Sequence, residues 1–409
     1  MAVLEEDLFR REYSRLLSAL TRLFGANRAA LLEDVVQDTL VAALHAWQLG
    51  LPDQPQAWLL ATAKHRAIDL LRRERRIAMV SIDDDSELSL AEDVETAFSA
   101  DQTDANELGM MLACCHGELA EETQVTLILR FLCGFGPREI ASAFLVDTQT
   151  IDRRLHRGRA KLAAHGKLHE VHDDDEVLAR LPSLIRALYL LFSEGYHGTD
   201  PEHPVRAALC ADAMRLVDVL LAVETSARPE VHALQALFCF DAARLATRVD
   251  HEGVFVPLAD QDRSRWDRAL IDRGVRHLGA SASGQQLTRW HVEAGIAYEH
   301  ASATSVAATN WGRIVGLYDA LVQLAPGPVV AFNRALAIGE LAGPRAGLDA
   351  IAETPHDARL DKYSFYWAAR GELRRRLGDL TAAREDYQRA ISLARSRGER
   401  LAYQRKLDR

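Results

Sequence analysis

Apolar residues recur every three to four positions from one end of the sequence to the other. In AWLLATAKHRAIDLLRRERR, Trp58, Leu59, Ala63, Ala67, Leu70 and Leu71 fall near one helical face. Lys64, Arg66, Arg72, Arg73, Arg75 and Arg76 fall largely outside it. Strand-like alternation is missing, and Pro and Gly sit between the helical blocks. Abundant Ala, Leu and Arg add intrinsic helix preference. The chain is therefore expected to be all-α, and its 409 residues suffice for several domains.

Charge divides the chain into blocks. The first helical block ends with the basic helix above, near residue 82. The stretch SIDDDSELSLAEDVETAFSADQTDANE follows, and from Ser81 to Glu107 it holds no Lys or Arg. Self-repulsion and low apolar content favour an extended acidic linker over 83–107, a solvated tether between its neighbours. A compact block over 108–168 comes next. A helical extension over 175–285 and a helical array over 286–409 complete the chain. In the last part, AFNRALAIGELAGPRAGLDAIA and YWAARGELRRRLGDLTAAREDYQRAISLA read as helix–turn–helix pairs. LGDLTAAREDYQRAISLA matches the second half of a tetratricopeptide repeat, with Ala383 and Ala390 where such helices pack closely.

The formal net charge is −10, yet TQTIDRRLHRGRAKL gathers Arg153, Arg154, Arg157, Arg159 and Lys161 on one short helix. Pro137 suits the first turn of the preceding helix, and Thr148 or Asp147 can cap the basic one. Ile140 and Phe144 face inward from the first, Ile151 and Leu155 from the second. Two short helices joined by LVD, each with an inward apolar pair, form a helix-turn-helix pattern. The second would enter the major groove, presenting Gln149, Thr150, Arg153, Arg154 and Arg157. Gln and Arg can pair with base edges, and the remaining cations suit phosphates.

Two basic helices separated by an acidic stretch resemble an extracytoplasmic-function (ECF) sigma factor of bacterial RNA polymerase. LEDVVQDTLVAALHAW is similar to the region-2 helix of that family, WLLATAKHRAIDLLRRERR to the helix after it, and LACCHGELAEETQVTLILRFLCGFGPREIASAFLVDTQTIDRRLHRGRAKL to region 4. LYLLFSEGYHGTDPEHPVRAALCADAMRLVDVLLA, LFCFDAARLATR and LYDALVQLAPGPVVAFNRALAIGE are similar to an ECF branch with a tetratricopeptide-like C-terminal extension. His65 stands where the family usually has Asn, and CGFGPRE replaces a Leu-Thr-Thr-like segment.

The resemblance implies a fold of region-2 helical bundle, acidic linker, region-4 helix-turn-helix and C-terminal helical array. It implies a factor that binds core RNA polymerase and directs promoter recognition. Asp34, Gln37, Asp38 and Val41 would dock on the β′ clamp helices. The loop GLPDQPQ would capture a flipped base through Asp53, Gln54 and Gln56, at a cost of a few kcal/mol. Lys64, His65, Arg66, Arg72 and Arg73 would meet the −10 element. Gln149, Thr150, Arg153, Arg154, Arg157, Arg159 and Lys161 would meet the −35 element. The C-terminal block would modulate activity, with a regulatory protein as a candidate partner.

Other chemistry is disfavoured. Walker, GxSxG and HExxH motifs are absent, so neither catalysis nor a cofactor is expected. His165, His169, His172 and Asp173 to Asp175 have metal-like spacing at a helix end, and metal is not the expected reading. Cys114, Cys115 and His116 suit packing in a helix better than zinc. Glu194, Tyr196, His197, Asp200 and His203 in SEGYHGTDPEH read as a structured turn rather than a small-molecule site. Five cysteines without a CxxC pair, an acidic amphipathic start and no long apolar run point to a cytoplasmic protein without a membrane segment. The competing function is a helix-turn-helix activator whose helical domain senses a ligand or partner.

Overall fold

The computed structural model describes residues 2–48, 50–77, 100–144, 146–164, 174–197, 205–354 and 357–408. His165, His169, His172, Asp173, Asp200 and His203 lie outside them, as do residues 83–99 of the acidic stretch. The fold is all-α. Among the described residues there is no strand, only a single antiparallel bridge between Val249 and Phe255.

The chain divides into two compact units. The first is Met1–Leu191 with Asp218–Ala227, and the second is Phe192–Val217 with Arg228–Arg409. The division falls inside one helix, Asp174–Tyr196, rather than ahead of it as the blocks in the sequence suggest. Arg180 and Arg186 on its first half are the reason. Arg180 donates to the Leu112 carbonyl at 3.0 Å, and Arg186 pairs with Glu121 at 2.7 Å.

The first unit opens with α1 (Ala2–Phe24), α2 (Ala29–Ala46) and α3 (Pro55–Ile77). Leu16, Leu17 and Leu20 of α1 pack with Leu32 and Val36 of α2 and with Leu59, Ala63 and Ala67 of α3, all buried. Each fully buried leucine contributes roughly 1.5–3 kcal/mol. The expected inward face of the basic helix is thus the observed one. Trp58, at its edge, meets Trp47 edge-on at 5.4 Å, and Trp47 stacks on Phe9 at 5.7 Å.

The end of the acidic stretch departs from the expected linker. Helix α4 (Ala100–Cys114) begins inside it, and Asn106 and Glu107 are buried. Their polar groups have partners on α1. Arg22 donates to Asn106 Oδ1 at 2.9 Å, and the Ser14 hydroxyl donates to the Glu107 carboxylate. Composition alone could not reveal these partners. Helices α5 (Glu121–Phe131), α6 (Pro137–Phe144) and α7 (Thr148–Ala164) follow. Cys114 and Cys115 are buried, and burial pushes both thiols up, in keeping with a packing role. Among the described residues no cluster of metal-ligating side chains occurs, and no helix is long and apolar enough to cross a membrane.

In the second unit the expected pairs form. AFNRALAIGELAGPRAGLDAIA folds as helices Pro328–Ala342 and Pro344–Glu353, joined at Gly343 with φ 97°. Gly339 and Gly347 let their backbones touch, since a Cβ on Gly347 would stand 2.8 Å from the Gly339 Cα. The last pair, Ser364–Arg376 and Leu380–Leu393, buries Ala383 and Ala390 as the repeat pattern requires. Elsewhere in this unit, Tyr196 and His197 are buried beside Arg248, whose guanidinium lies 3.6 Å from the Tyr196 ring centre.

Candidate nucleic-acid and polymerase interface

The basic helix α7 is aimed by its cap and its core. Asp147 takes the cap: its carboxylate accepts the Thr150 N–H at 2.6 Å and the Thr150 hydroxyl at 3.1 Å. These bonds hold the Asp147 carboxyl below its ordinary range. Pro137 opens α6, and Glu139 closes its first turn by accepting the Gly136 N–H at 2.8 Å. Ile140, Ile151 and Leu155 are buried, and Phe144 is half-buried. The two helices are thereby locked at a short turn, with one flank of α7 turned outward.

That flank carries Gln149, Arg153 and Arg157, all exposed, and Thr150 and Arg154, both half-buried. Arg153 makes long contacts to Gln149, 3.3 Å to its carbonyl and 3.4 Å to its side chain. Arg159 and Lys161 lie off this flank. At about 100° per residue, Arg159 is turned roughly 200° from Arg157. It donates to Glu33 Oε2 of α2 at 2.5 Å, while Lys161 pairs with Glu118. Their charges matched the pattern in the sequence, but helix geometry separates them from it.

On α2 the expected polymerase-facing residues share one side. Asp34, Gln37, Asp38 and Val41 are exposed at helical spacing, while Leu32, Val35, Val36 and Thr39 face the core. Asp38 pairs with Arg66 of α3 at 3.6 Å. Both partners are solvated, so the pair contributes little. An open groove of about 720 Å³ runs beside this pair, lined by Asp38, Val41, His45, Trp58 and Arg66.

The loop before α3 is shorter than GLPDQPQ suggests, because the helix starts at Pro55. Gly50 turns the chain with φ 133°, a region that favours glycine. Asp53 and Gln54 are exposed. Gln56 is also exposed, but its amide donates to Glu12 at 2.9 Å. On α3, Lys64 and Arg66 are half-buried and His65 is exposed. Arg72 and Arg73 belong to the helix, and their side chains lie outside the described residues.

Three residues that sequence reasoning passed over make the most buried ionic cluster of this unit. Glu33 is 1% exposed. Its carboxylate accepts from Arg130 Nε at 2.6 Å, Arg159 at 2.5 Å and the Tyr13 hydroxyl at 3.2 Å. Burial, then Glu33, push the Tyr13 phenol up. Arg130 is also held above its ordinary range, with Tyr13 and Glu33 outweighing burial. A lone Glu in the apolar run LLEDVV and a lone Arg in LILRFL were the available signals.

Comparison with known proteins agrees with this geometry. Residues 8–77 match Sigma-70 region 2, and residues 109–162 match Sigma-70 region 4. The RNA polymerase sigma factor CnrH of Cupriavidus metallidurans is 31% identical over 152 residues, 36% of this chain and 79% of its own. This chain belongs to the ECF sigma factors of RNA polymerase. The ECF sigma factor SigE of Mycolicibacterium smegmatis is 27% identical over 157 residues, covering 38% of this sigma factor and 59% of its own length. An uncharacterized protein of Rhizobium meliloti is 34% identical over 399 residues, 96% of this chain and 92% of its own. Residues 180–282 match a family of unknown function. No solved structure matches. Sigma factors are non-enzymatic initiation factors that act with core RNA polymerase on promoter DNA, so α3 and α7 belong to the regions that meet promoter DNA.

Proposed function

We propose that this sigma factor docks on the β′ clamp helices of core polymerase through Asp34, Gln37, Asp38 and Val41. An exposed acidic face with one apolar contact suits a basic partner. Gln149, Thr150, Arg153, Arg154 and Arg157 read the −35 element. Lys64, His65, Arg66, Arg72 and Arg73 meet the −10 element, with Asp53, Gln54 and Gln56 beside the unpaired base. The work is cytoplasmic, and the C-terminal helical unit modulates it, alone or through a regulatory protein.

The single observation that carries this reading is the outward flank of α7, where cations and Gln149 stay exposed behind a capped, core-locked turn. Run-off transcription with core polymerase on genomic fragments tests it. Transcripts are expected from the full chain, and fewer from Arg153→Ala. A chain ending at Ala227, which keeps all residues of the first unit, tests the C-terminal role. Unchanged output and unchanged regulation would remove that role. An activator, unlike a sigma factor, would fail to co-elute with core polymerase in the absence of another sigma.

A further inference from the structure

The Glu33 cluster joins the two regions that must meet DNA separately. Glu33 and Tyr13 belong to region 2; Arg130 and Arg159 belong to region 4. The same interface includes the bonds from Ser14 and Arg22 to α4. We propose that this clasp holds the sigma factor in a closed form, with the Glu33 carboxylate occupying the guanidinium of Arg159 in place of a DNA phosphate. The clasp must open for promoter binding. This rests on the assignment of the two regions to the −10 and −35 elements.

Distances carry the inference. Elements named −10 and −35 lie about 25 base pairs apart, roughly 85 Å of duplex at about 3.4 Å per pair. In the structure the regions touch through Glu33 and Arg159 at 2.5 Å. Asp38, which pairs with Arg66, lies about 8 Å of helix from Glu33, and Gln149 about 15 Å of helix from Arg159. Laid end to end with the intervening side chains, these reach only about half of the required span. The closed form therefore cannot engage both elements. Residues 78–99 join α3 to α4, and a chain of that length can reach about 75 Å when fully extended.

The energetics suit a clasp that opens. A buried carboxylate with two guanidiniums has paid a large desolvation penalty, so its net stabilisation over the separated, hydrated groups is small. It nonetheless fixes one arrangement, because Glu33 is enclosed and each oxygen meets an arginine. The clasp also sits on the docking helix: Glu33 faces inward from α2 beside the outward-facing Asp34. Polymerase docking on one side of α2 and clasp release on the other thus involve the same element.

Spin labels on Ala30→Cys and Ala163→Cys test this in the full chain. Both positions are exposed, and the five native cysteines are buried. The free protein should show one short separation, which lengthens by tens of ångströms on binding core polymerase and a promoter fragment found by run-off transcription. In the free protein, Glu33→Gln should populate the long separation and bind a duplex of that promoter's −35 element about tenfold tighter. Its affinity within the polymerase complex should not change, because the clasp is already open there. Arg130→Gln, which loosens the clasp away from the DNA flank, should shift the separation in the same direction. If the wild type transcribes while the separation stays short in the promoter complex, the clasp is no switch. The same conclusion follows if both variants keep the wild-type separation and duplex affinity. Absence of transcription by the wild type would instead overturn the sigma assignment on which the clasp rests.

Discussion

Gly158 of α7 lies directly against Leu127 of α5: a Cβ added at Gly158 would stand 2.5 Å from Leu127 Cδ2 and 2.8 Å from its Cγ. Leu127 is fully buried, so its head has little room to retreat. The recognition helix is seated by this contact on one side and left open on the other. Gly158→Ala gains up to about 1 kcal/mol of helix propensity. It meets an overpacking cost of about 1–3 kcal/mol. A net loss of stability is expected, measured by chemical denaturation, with weaker −35 binding following from the disturbed α7. An unchanged or raised midpoint would mean that α5 and α7 are not packed in this way.

The outward cations should act as independent phosphate or base contacts. Arg153→Ala and Arg157→Ala should each lower the slope of log affinity against log salt by about 0.9, if the lost contact is to a phosphate. Lys161→Ala should leave the slope near the wild-type value, because Lys161 is held off the flank by Glu118. Fluorescence anisotropy with a −35 duplex at several salt concentrations separates the two classes.

In the second unit, Asp386 is buried and accepts from Arg370 at 2.5 and 3.0 Å and from Arg374 at 2.9 Å. Asp386→Ala leaves two partly buried cations without their acceptor. It should destabilise that unit by about 3–5 kcal/mol in thermal or chemical unfolding. Arg359→Ala, at an exposed pair with Asp357, should be close to neutral.

Two buried histidines set a pH response. Burial, with Arg248 and Arg244 adding to it, pulls His197 down to about 3. Burial, with Arg244 and Arg263, does the same for His300. Unfolding restores each to near 6.5, so between pH 6.5 and 3 the unfolded chain binds the extra protons. Stability from these groups is complete above about 6.5 and falls as the solution is acidified. Each contributes a slope of up to about 1.4 kcal/mol per pH unit. Unfolding titrations from pH 7.5 to 5 should show this decline, and His197→Gln should remove about half of it.

The all-α fold was legible because helical periodicity is a local signal. Leu59, Ala63 and Ala67 face the core as their spacing requires. The helix-turn-helix was legible because Pro137, Asp147, Ile151 and Leu155 act within a few residues of one another. What was not legible depends on partners distant in sequence. Glu107 is helical and buried because Ser14 meets it, although it closes a stretch whose composition reads as extended. Arg159 counts as one more cation in a basic run until Glu33, on another helix, is placed beside it. The division inside Asp174–Tyr196 likewise follows from Arg180 and Arg186 reaching back to α4 and α5.

Transcription by the full chain with core RNA polymerase, and no other sigma, on genomic fragments tests the central claim most directly. The account predicts discrete run-off transcripts that weaken when Arg153 and Arg157 are both replaced by alanine. Failure to transcribe, using core polymerase that is active with a different sigma factor, would contradict it.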